Sequence, residues 1–248
     1  MSVKLSRYVF RKIGGRIVPI RKGTFSEAGT IAEGIRGVSR KALRAIDSVR
    51  NKKIDQKVAE FTKDSVVKNK VYHGTNVTFS KFDHSKIGSS SGTAQGRGFY
   101  FTSNKLEASG YGKKVKEFYL NMKKPMVGSL NDGFSQKEIT MKQVEKMAAG
   151  EDLSNWGMTH SEGLSKLKKA ISGDNDLDKI QELGQTVFHH DWKRTFEKLR
   201  KITGIDGSIR SNTKTTHFVA YNSDQIMKAP KRSNLYKSIQ KIKYRKKS

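Results

Sequence analysis

The order of secondary-structure signals limits most strongly what this chain can fold into. Strand-like sequence runs from Val71 to Val127, a mostly helical segment follows over residues 135–202, and strand character returns from Gly207 to Lys228. Within the last stretch, His217-Phe218-Val219-Ala220-Tyr221 is the clearest strand. Because strands lie on both sides of one helical block, this order predicts a single α+β domain with a helical insertion.

A small module is expected before that domain. Tyr8-Val9-Phe10 and Arg16-Ile17-Val18 are β-prone and flank Gly14-Gly15, which predicts a hairpin over residues 7–20. From Ser26 to about Lys68, apolar residues recur at helical spacing and predict a helix. We therefore divide the chain into a hairpin-plus-helix module (1–68), the α+β domain (69–230, with the insertion at about 135–202) and a C-terminal tail (231–248).

Positive charge is concentrated at the two ends. The chain of 248 residues has 50 basic and 23 acidic side chains, a formal charge of +27. Residues 1–22 hold seven Lys or Arg and residues 231–248 hold eight, and neither segment holds an acid. Such blocks favour binding to polyanions, either nucleic acid or an acidic protein surface.

Several classes of site are excluded or disfavoured. The chain has no cysteine, which rules out disulfides, thiolate metal sites and a cysteine nucleophile. No apolar run approaches the roughly 20 residues of a membrane span. The acidic run over residues 174–178 resembles the start of a calcium loop, but Lys179 and Gln185 stand at the sixth and twelfth positions, where such a loop has glycine and glutamate. The adjacent His189 and His190 would point about 100° apart on a helix. We therefore expect neither a metal site nor a membrane span.

The residues that carry chemistry lie between His73 and Tyr111. They are His73-Gly74-Thr75, Gly96-Arg97-Gly98-Phe99-Tyr100-Phe101-Thr102 and Tyr111. Two aromatic faces hold a flat cationic ring such as nicotinamide by stacking and cation–π attraction, and Tyr100 and Tyr111 offer two such faces. Glycines let the backbone approach a ligand closely. Each motif alone is more typical of a structural histidine or a core strand, but the ordered set favours a pocket.

These motifs resemble the signature of ADP-ribosyltransferases of the diphtheria-toxin and poly-ADP-ribose-polymerase type. The stretch from Val71 to Ala229 is most similar to the ADP-ribosyltransferase domains of phage polyvalent proteins, which end much like Gly204-Ile205-Asp206-Gly207 followed by Asp224-Gln225-Ile226. The resemblance implies an ADP-ribosyltransferase-like split β-sheet core and NAD⁺ as the substrate.

The resemblance also implies roles for individual residues. His73 would bind a ribose of NAD⁺ and Gly74 the carboxamide, while Tyr100 and Tyr111 would enclose nicotinamide. Thr75 and Gly98 complete the expected binding set. At position 108, where some relatives have a serine that touches the carboxamide, this chain has alanine.

The third catalytic position of the family is usually glutamate, and this chain departs from it. Gln225 is the better candidate, which makes His73, Tyr100 and Gln225 the expected catalytic set, while alignment to the polymerase type points to His217 instead. Neither residue is a carboxylate, and glutamine is a poor general base. This departure favours mono-ADP-ribosyl transfer over polymer elongation.

The expected function is that of a phage-encoded, NAD⁺-dependent mono-ADP-ribosyltransferase, carried with the virion or injected, that modifies a host protein or nucleic acid. It would be found in the virion, in the host cytoplasm after delivery, or in both. The basic ends would contact phage DNA or capsid and portal proteins. One alternative is a structural protein of the virion or its DNA with a degenerate, inactive fold, which the missing carboxylate favours and the tyrosine pair opposes. Another is a host-directed toxin without a capsid role.

We expect the basic ends to bind duplex DNA independently of the pocket. Together they hold fifteen positive charges, seven plus eight. Counterion release then gives a log–log salt slope of about −0.9 per neutralised phosphate. Deleting both ends should flatten the slope in a fluorescence-anisotropy titration and leave NAD⁺ affinity unchanged. A truncated protein that binds DNA as tightly and as salt-sensitively as the full chain would place the binding surface in the folded domain.

Overall fold

The structure is a computed structural model that describes residues 8–13, 16–21, 40–88, 96–131, 133–134, 138–153, 159–170 and 176–234. The chain divides into two compact units. The first comprises residues 1–57 and 230–248, and the second comprises residues 58–229.

The first unit contains two paired strands and most of a long helix. Strands β1 (Tyr8–Ile13) and β2 (Arg16–Arg21) are antiparallel, and helix α1 spans Arg40–Phe61. The segment after residue 230 is bonded to α1: the Ser233 hydroxyl donates to the Asp47 carboxylate at 2.6 Å, and the Ser233 N–H donates to the Asn51 side chain at 2.8 Å. Residues 1–7 and 235–248, which include most of the predicted basic ends, lie outside the described residues.

Helix α1 ends earlier than the sequence predicted. The prediction extended to about Lys68, whereas the helix ends at Phe61, and residues 22–39 lie outside the described residues. The cause is Ser65, whose buried hydroxyl donates to the Leu120 carbonyl at 2.7 Å and accepts the N–H groups of Val67 and Met122 at 3.0 Å each. Such side-chain bonds compete with helical ones, so the chain leaves the helix to follow the sheet.

Eight strands of the second unit form one sheet in its described part. They are β3 (Val71–Thr75), β4 (Phe99–Thr102), β5 (Lys114–Leu120), β6 (Pro125–Ser129), β7 (Gly133–Phe134), β8 (Gly207–Ser211), β9 (Thr216–Ala220) and β10 (Ile226–Lys228). Their order is β10-β5-β3-β4-β9-β8-β6-β7, and every neighbouring pair is antiparallel except β6 with β8. The predicted α+β class is confirmed.

Helices accompany this sheet. They are α2 (Lys105–Gly110), α3 (Met141–Ala148), α4 (His160–Ala170), α5 (Asp176–Glu182) and α6 (Trp192–Thr203), with a π-helical turn at Leu183–Val187. Helix α6 buries Trp192, Phe196 and Leu199, which recur at helical spacing on one face. The ring of Phe196 stacks on that of Tyr221 with centroids 4.4 Å apart, so α6 packs on the chain that leaves β9.

Asp176, the first residue of α5, is used for internal pairing. Asp176 is buried and accepts the Lys179 ammonium at 2.9 Å, and its other oxygen accepts the N–H groups of Glu138 and Ile139. Over the ranges that the structure describes, no group of three or more His, Asp or Glu side chains is placed to hold a metal ion. The same ranges contain no helix long and apolar enough to cross a membrane.

Asp206, directly before β8, is hydrogen-bonded to the connection between β5 and β6. Its carboxylate oxygens accept the N–H groups of Lys123 and Lys124 at 2.7 and 3.1 Å, and its own N–H donates to the Lys124 carbonyl at 3.2 Å. Burial raises the pKa of the Asp206 carboxyl, against the lowering effect of these hydrogen bonds. The carboxylate therefore satisfies two backbone donors on the connection between β5 and β6.

We predict that Asp206→Ala destabilises the fold by about 1–3 kcal/mol per orphaned donor, because it leaves two N–H groups without an acceptor. Urea unfolding followed by circular dichroism measures this change. Asp178→Ala on the exposed side of α5 is the control and should shift the midpoint little. Equal midpoints for the two variants would show that Asp206 does not support the sheet.

Candidate active site

The sheet splits between β3 and β4. Strand β3 pairs with β5 from Val71 to Thr75, and β4 pairs with β9 along its whole length. Between β3 and β4, in contrast, the register contains one residue pair, Tyr72 with Thr102. The ladder between β3 and β4 is therefore the shortest in the described sheet, and we call this point the split.

Tyr100 and Thr102 lie on one face of β4, since alternate side chains of a strand point to opposite faces. Thr102 pairs across the sheet with His217 of β9, which places His217 on that face too. Tyr72 and Gly74 of β3 share it through the pair of Tyr72 with Thr102. The Tyr100 hydroxyl donates to the Gly96 carbonyl. We call this side of the sheet the tyrosine face.

Helix α2 covers the tyrosine face at Gly74. A Cβ atom at this position would lie 1.8 Å from the Ala108 carbonyl oxygen and 3.2 Å from the Cβ of Tyr111. Only glycine permits that approach, so the Gly74 backbone, Ala108 and Tyr111 are neighbours. The Tyr111 side chain is 64% exposed. The structure thus brings together two of the predicted NAD⁺ contacts, Gly74 and Tyr111, on the face that carries Tyr100.

His73 points to the opposite face, into a cluster of aromatic rings. Its ring centroid lies 5.2–6.3 Å from those of four phenylalanines, Phe79, Phe82, Phe101 and Phe118. The His73 Nδ1 atom lies 2.8 Å from the Tyr100 carbonyl, and because a carbonyl only accepts, Nδ1 carries the proton. This bond crosses from β3 to β4 at the split.

Burial among these rings lowers the pKa of His73, although the bond to the Tyr100 carbonyl acts in the opposite direction. Nearby Lys116 lowers the pKa further. The ring is therefore neutral at neutral pH, and Nε2 holds the lone pair. The expected contact of His73 with ribose stays a prediction, although the ring lies on the face opposite Tyr100, Gly74 and Tyr111.

Two further members of the predicted binding set take part in local packing. The buried Thr75 hydroxyl accepts the N–H of Val77 at 3.2 Å. Gly98 has φ of +146°, and a Cβ there would lie 2.4 Å from a Val219 methyl carbon. The missing side chain of Gly98 therefore lets β4 lie close to β9, next to Tyr100.

Gln225 lies elsewhere in the fold. It is buried at the turn before β10, its Oε1 accepts the Asn222 N–H at 2.9 Å, and its Nε2 donates to the Asn121 carbonyl at 3.2 Å. Strand β10 is at the edge of the sheet, beyond β5 and β3. The structure does not bring Gln225 to Tyr100, and a free amide facing ribose does not fit a side chain whose two ends are already bonded.

A carboxylate that the sequence reasoning missed lies on the tyrosine face. The Oε1 atom of Glu107 is 2.5 Å from His217 Nε2, and its Oε2 accepts the hydroxyls of Thr102 at 2.5 Å and Thr215 at 2.7 Å. The Thr102 hydroxyl also accepts the Asn104 N–H, which orients its proton towards Glu107. The available signal was that Glu107 is the one acidic residue between Tyr100 and Tyr111.

The protonation of Glu107 follows from these contacts. Burial raises the pKa of the Glu107 carboxyl, but the hydrogen bonds from Thr102, Thr215 and His217 outweigh burial and hold the pKa below its ordinary value. The side chain is 26% exposed and that of His217 is 17% exposed, so the pair reaches the surface of the tyrosine face. A fixed negative charge therefore lies beside β4 and β9.

Comparison with known proteins identifies the family of the chain. No curated protein matches the chain. A solved structure described as the crystal structure of an anti-CRISPR protein is similar over 64% of this chain and 94% of its own, with 13% identity and a TM-score of 0.29. The family model described as ADP-ribosyltransferase in polyvalent proteins matches residues 68–234, more than half of the chain. The resemblance drawn from the sequence is confirmed, and the chain belongs to the ADP-ribosyltransferase family of polyvalent proteins.

Proposed function

We propose that this chain is an NAD⁺-dependent mono-ADP-ribosyltransferase. The observation that carries the proposal is that Tyr100, Gly74 and Tyr111 lie on one face of the sheet, with Tyr111 next to Gly74. These are the residues to which the sequence assigned the nicotinamide end of NAD⁺. Membership of the family supports ADP-ribosyl transfer as the reaction.

In this reaction, the bond between nicotinamide N1 and ribose C1′ breaks, and its electron pair neutralises the pyridinium ring. A nucleophilic oxygen or nitrogen of the acceptor bonds to C1′ and loses its proton. Tyr100 and Tyr111 would hold the ring by stacking and cation–π attraction. The Gly74 backbone, which β4 does not pair, would bind the carboxamide. His73, whose ring lies on the opposite face, would act through its Nδ1–H bond to the Tyr100 carbonyl, which holds the backbone of that tyrosine.

Transfer of a single unit suits this face better than chain growth. His217, the alternative for the third position, is on the tyrosine face, whereas Gln225 is at the sheet edge. We therefore assign the third position to His217. An imidazole at that position lacks the negative charge that a glutamate would offer to an attacking ribose hydroxyl, which favours mono-ADP-ribosyl transfer.

We further propose that the protein is encoded by a phage, is delivered with the virion and acts in the host cytoplasm on a protein or nucleic acid. The charge of +27 supports it, because a basic protein associates readily with packaged DNA or with acidic capsid and portal surfaces. The basic blocks at 1–22 and 231–248 would make these contacts.

A second candidate is a structural protein of the virion with an inactive fold. It is favoured by the absence of a carboxylate at both Gln225 and His217. The two candidates differ in whether purified protein binds NAD⁺ and releases nicotinamide. Copy number in purified particles would separate both from a toxin without a capsid role.

Tyr100→Ala and Tyr111→Ala should each remove one face of the nicotinamide pocket. The loss is about 1–2 kcal/mol per face, which weakens NAD⁺ binding about 5- to 30-fold. Isothermal titration calorimetry measures it. Tyr119→Ala is the matched control, because Tyr119 is a partly buried strand tyrosine that pairs with Met227 at the sheet edge. Native affinity in both test variants, or no binding by the native chain at millimolar NAD⁺, would refute the pocket.

Gln225→Ala should lower stability and leave the NAD⁺ chemistry intact. It deprives the Asn222 N–H and the Asn121 carbonyl of their partner, at a cost of about 1–3 kcal/mol each when they stay unbonded. Thermal unfolding and nicotinamide release per folded molecule should separate the two effects. If release falls strongly while the melting temperature holds, Gln225 is the third catalytic residue after all.

A further inference from the structure

We propose that Glu107, on helix α2, supplies the negative charge that stabilises the ribose cation as nicotinamide leaves. This inference rests on the proposed function and names a catalytic residue that neither the sequence motifs nor the family match assigns. The usual family carboxylate would come from the strand that here carries His217. In this chain the strand supplies an imidazole, and the carboxylate comes from the helix above it.

The position of Glu107 follows from the side-chain periodicity of strand β4 and from that of helix α2. Tyr100 and Thr102 are two residues apart on β4 and share a face, and Thr102 donates to Glu107. Glu107 and Tyr111 are four residues apart at α2 and its end, so they lie on the same side of the helix. The carboxylate is therefore on the side of α2 and on the face of β4 that carry the two nicotinamide tyrosines.

The contacts of Glu107 hold it in one place. Three donors from three segments converge on its two oxygens: Thr102 on β4, Thr215 before β9 and His217 on β9. The start of α2 is fixed as well, since the Asn104 side chain accepts the N–H groups of Leu106 and Glu107. A charge held in advance by such contacts needs no reorganisation when positive charge develops beside it.

The ionisation of Glu107 indicates which role it can fill. Because its hydrogen bonds hold the pKa of Glu107 below the ordinary value, the group is a weak base but stays charged across the neutral range. Departure of nicotinamide leaves a sugar with oxocarbenium character, like that in glycoside hydrolysis. A fixed carboxylate lowers the energy of that state more than the energy of bound NAD⁺, in which the positive charge is on the pyridinium ring.

The step balances without a general base. The C1′–N1 bond breaks, both electrons go to nicotinamide N1, and the oxygen of water or of the acceptor bonds to C1′. The proton of that oxygen passes to solvent. Glu107 remains a carboxylate throughout, and His217 acts as a positioning residue that holds Glu107 Oε1 through its Nε2–H.

The test uses the full chain with NAD⁺ and with water as the acceptor, so that no host target is needed. Nicotinamide release is followed by chromatography, and NAD⁺ affinity by calorimetry. Glu107→Gln keeps the shape and an acceptor oxygen but removes the charge. We expect kcat to fall about 100-fold, in the range found when one transition-state contact is removed, with Kd for NAD⁺ changed less than threefold.

Glu117→Gln is the matched control. Glu117 lies on β5 of the same sheet, its side chain is 38% exposed, and it forms an ion pair with Lys70 at 2.8 Å. It is therefore a partnered carboxylate that does not belong to the group formed by Glu107 and its three donors. Its removal should leave both constants at the native value. A general effect of lost negative charge would lower kcat in both variants and would overturn the assignment.

The pH profile separates a catalytic charge from a structural contact. Native kcat should fall only at acid pH, below the ordinary glutamate pKa of about 4.3, as Glu107 gains a proton. Thr215→Val removes one donor to the carboxylate, so it should move that fall to higher pH and keep most of the rate at neutral pH. A purely structural contact predicts no such movement, and an unmoved profile overturns the proposal.

Two failures remain distinguishable. If the native chain neither binds NAD⁺ nor releases nicotinamide, the proposed function is wrong and the role of Glu107 is wrong with it. If the native chain turns over NAD⁺ and folded Glu107→Gln retains native kcat, only the role of Glu107 is wrong. If Glu107→Gln does not fold, Thr215→Val with its pH profile decides.

Discussion

Contact between Gly74 and the Ala108 carbonyl fixes the position of helix α2 on the sheet. A side chain at residue 74 would collide with this carbonyl, so β3 and α2 approach through backbone alone. Glu107, the residue before Ala108, reaches His217 of β9. Tyr111, three residues after Ala108, lies next to Gly74. The positions of Tyr111, the proposed nicotinamide contact, and of Glu107, the proposed negative charge, therefore both depend on the absence of a side chain at Gly74.

The two faces of the split sheet have different roles. On the tyrosine face, polar side chains from β4, α2 and β9 gather around Glu107. On the other face, His73 and four phenylalanines pack together, and Lys116 lies 3.7 Å above the Phe79 ring. The bond from His73 Nδ1 to the Tyr100 carbonyl joins the strands where their ladder is shortest. Packing around His73 on one face of the sheet therefore sets the backbone position of Tyr100, whose ring lies on the opposite, tyrosine face.

The sequence predicted what depends on local pattern. Strand signals on both sides of one helical segment indicated the α+β class, and the motifs around Gly74, Tyr100 and Tyr111 indicated the family. The predicted end of α1 was wrong because Ser65 is bonded to Leu120, 55 residues away, and local pattern does not show such a contact. Glu107 was missed for the same reason, since two of its three donors, Thr215 and His217, are more than 100 residues distant.

Gln225 shows the limit of carrying a family position onto a chain by order alone. It follows the last long strand, as the third family residue was expected to do, but the chain turns after β9 and runs to the far edge of the sheet. Its amide there closes the turn at Asn222 and holds Asn121. Residue order cannot show that turn, whereas the cross-strand pair of Thr102 with His217 shows that His217 is the residue beside β4.

The most direct measurement is a crystal structure of the chain with a non-hydrolysable NAD⁺ analogue. We predict the nicotinamide ring between Tyr100 and Tyr111, its carboxamide on the Gly74 backbone and the adjacent ribose beside Glu107. An analogue bound with its nicotinamide ring away from the tyrosine face, or with the ribose next to Gln225 at the sheet edge, would contradict the account.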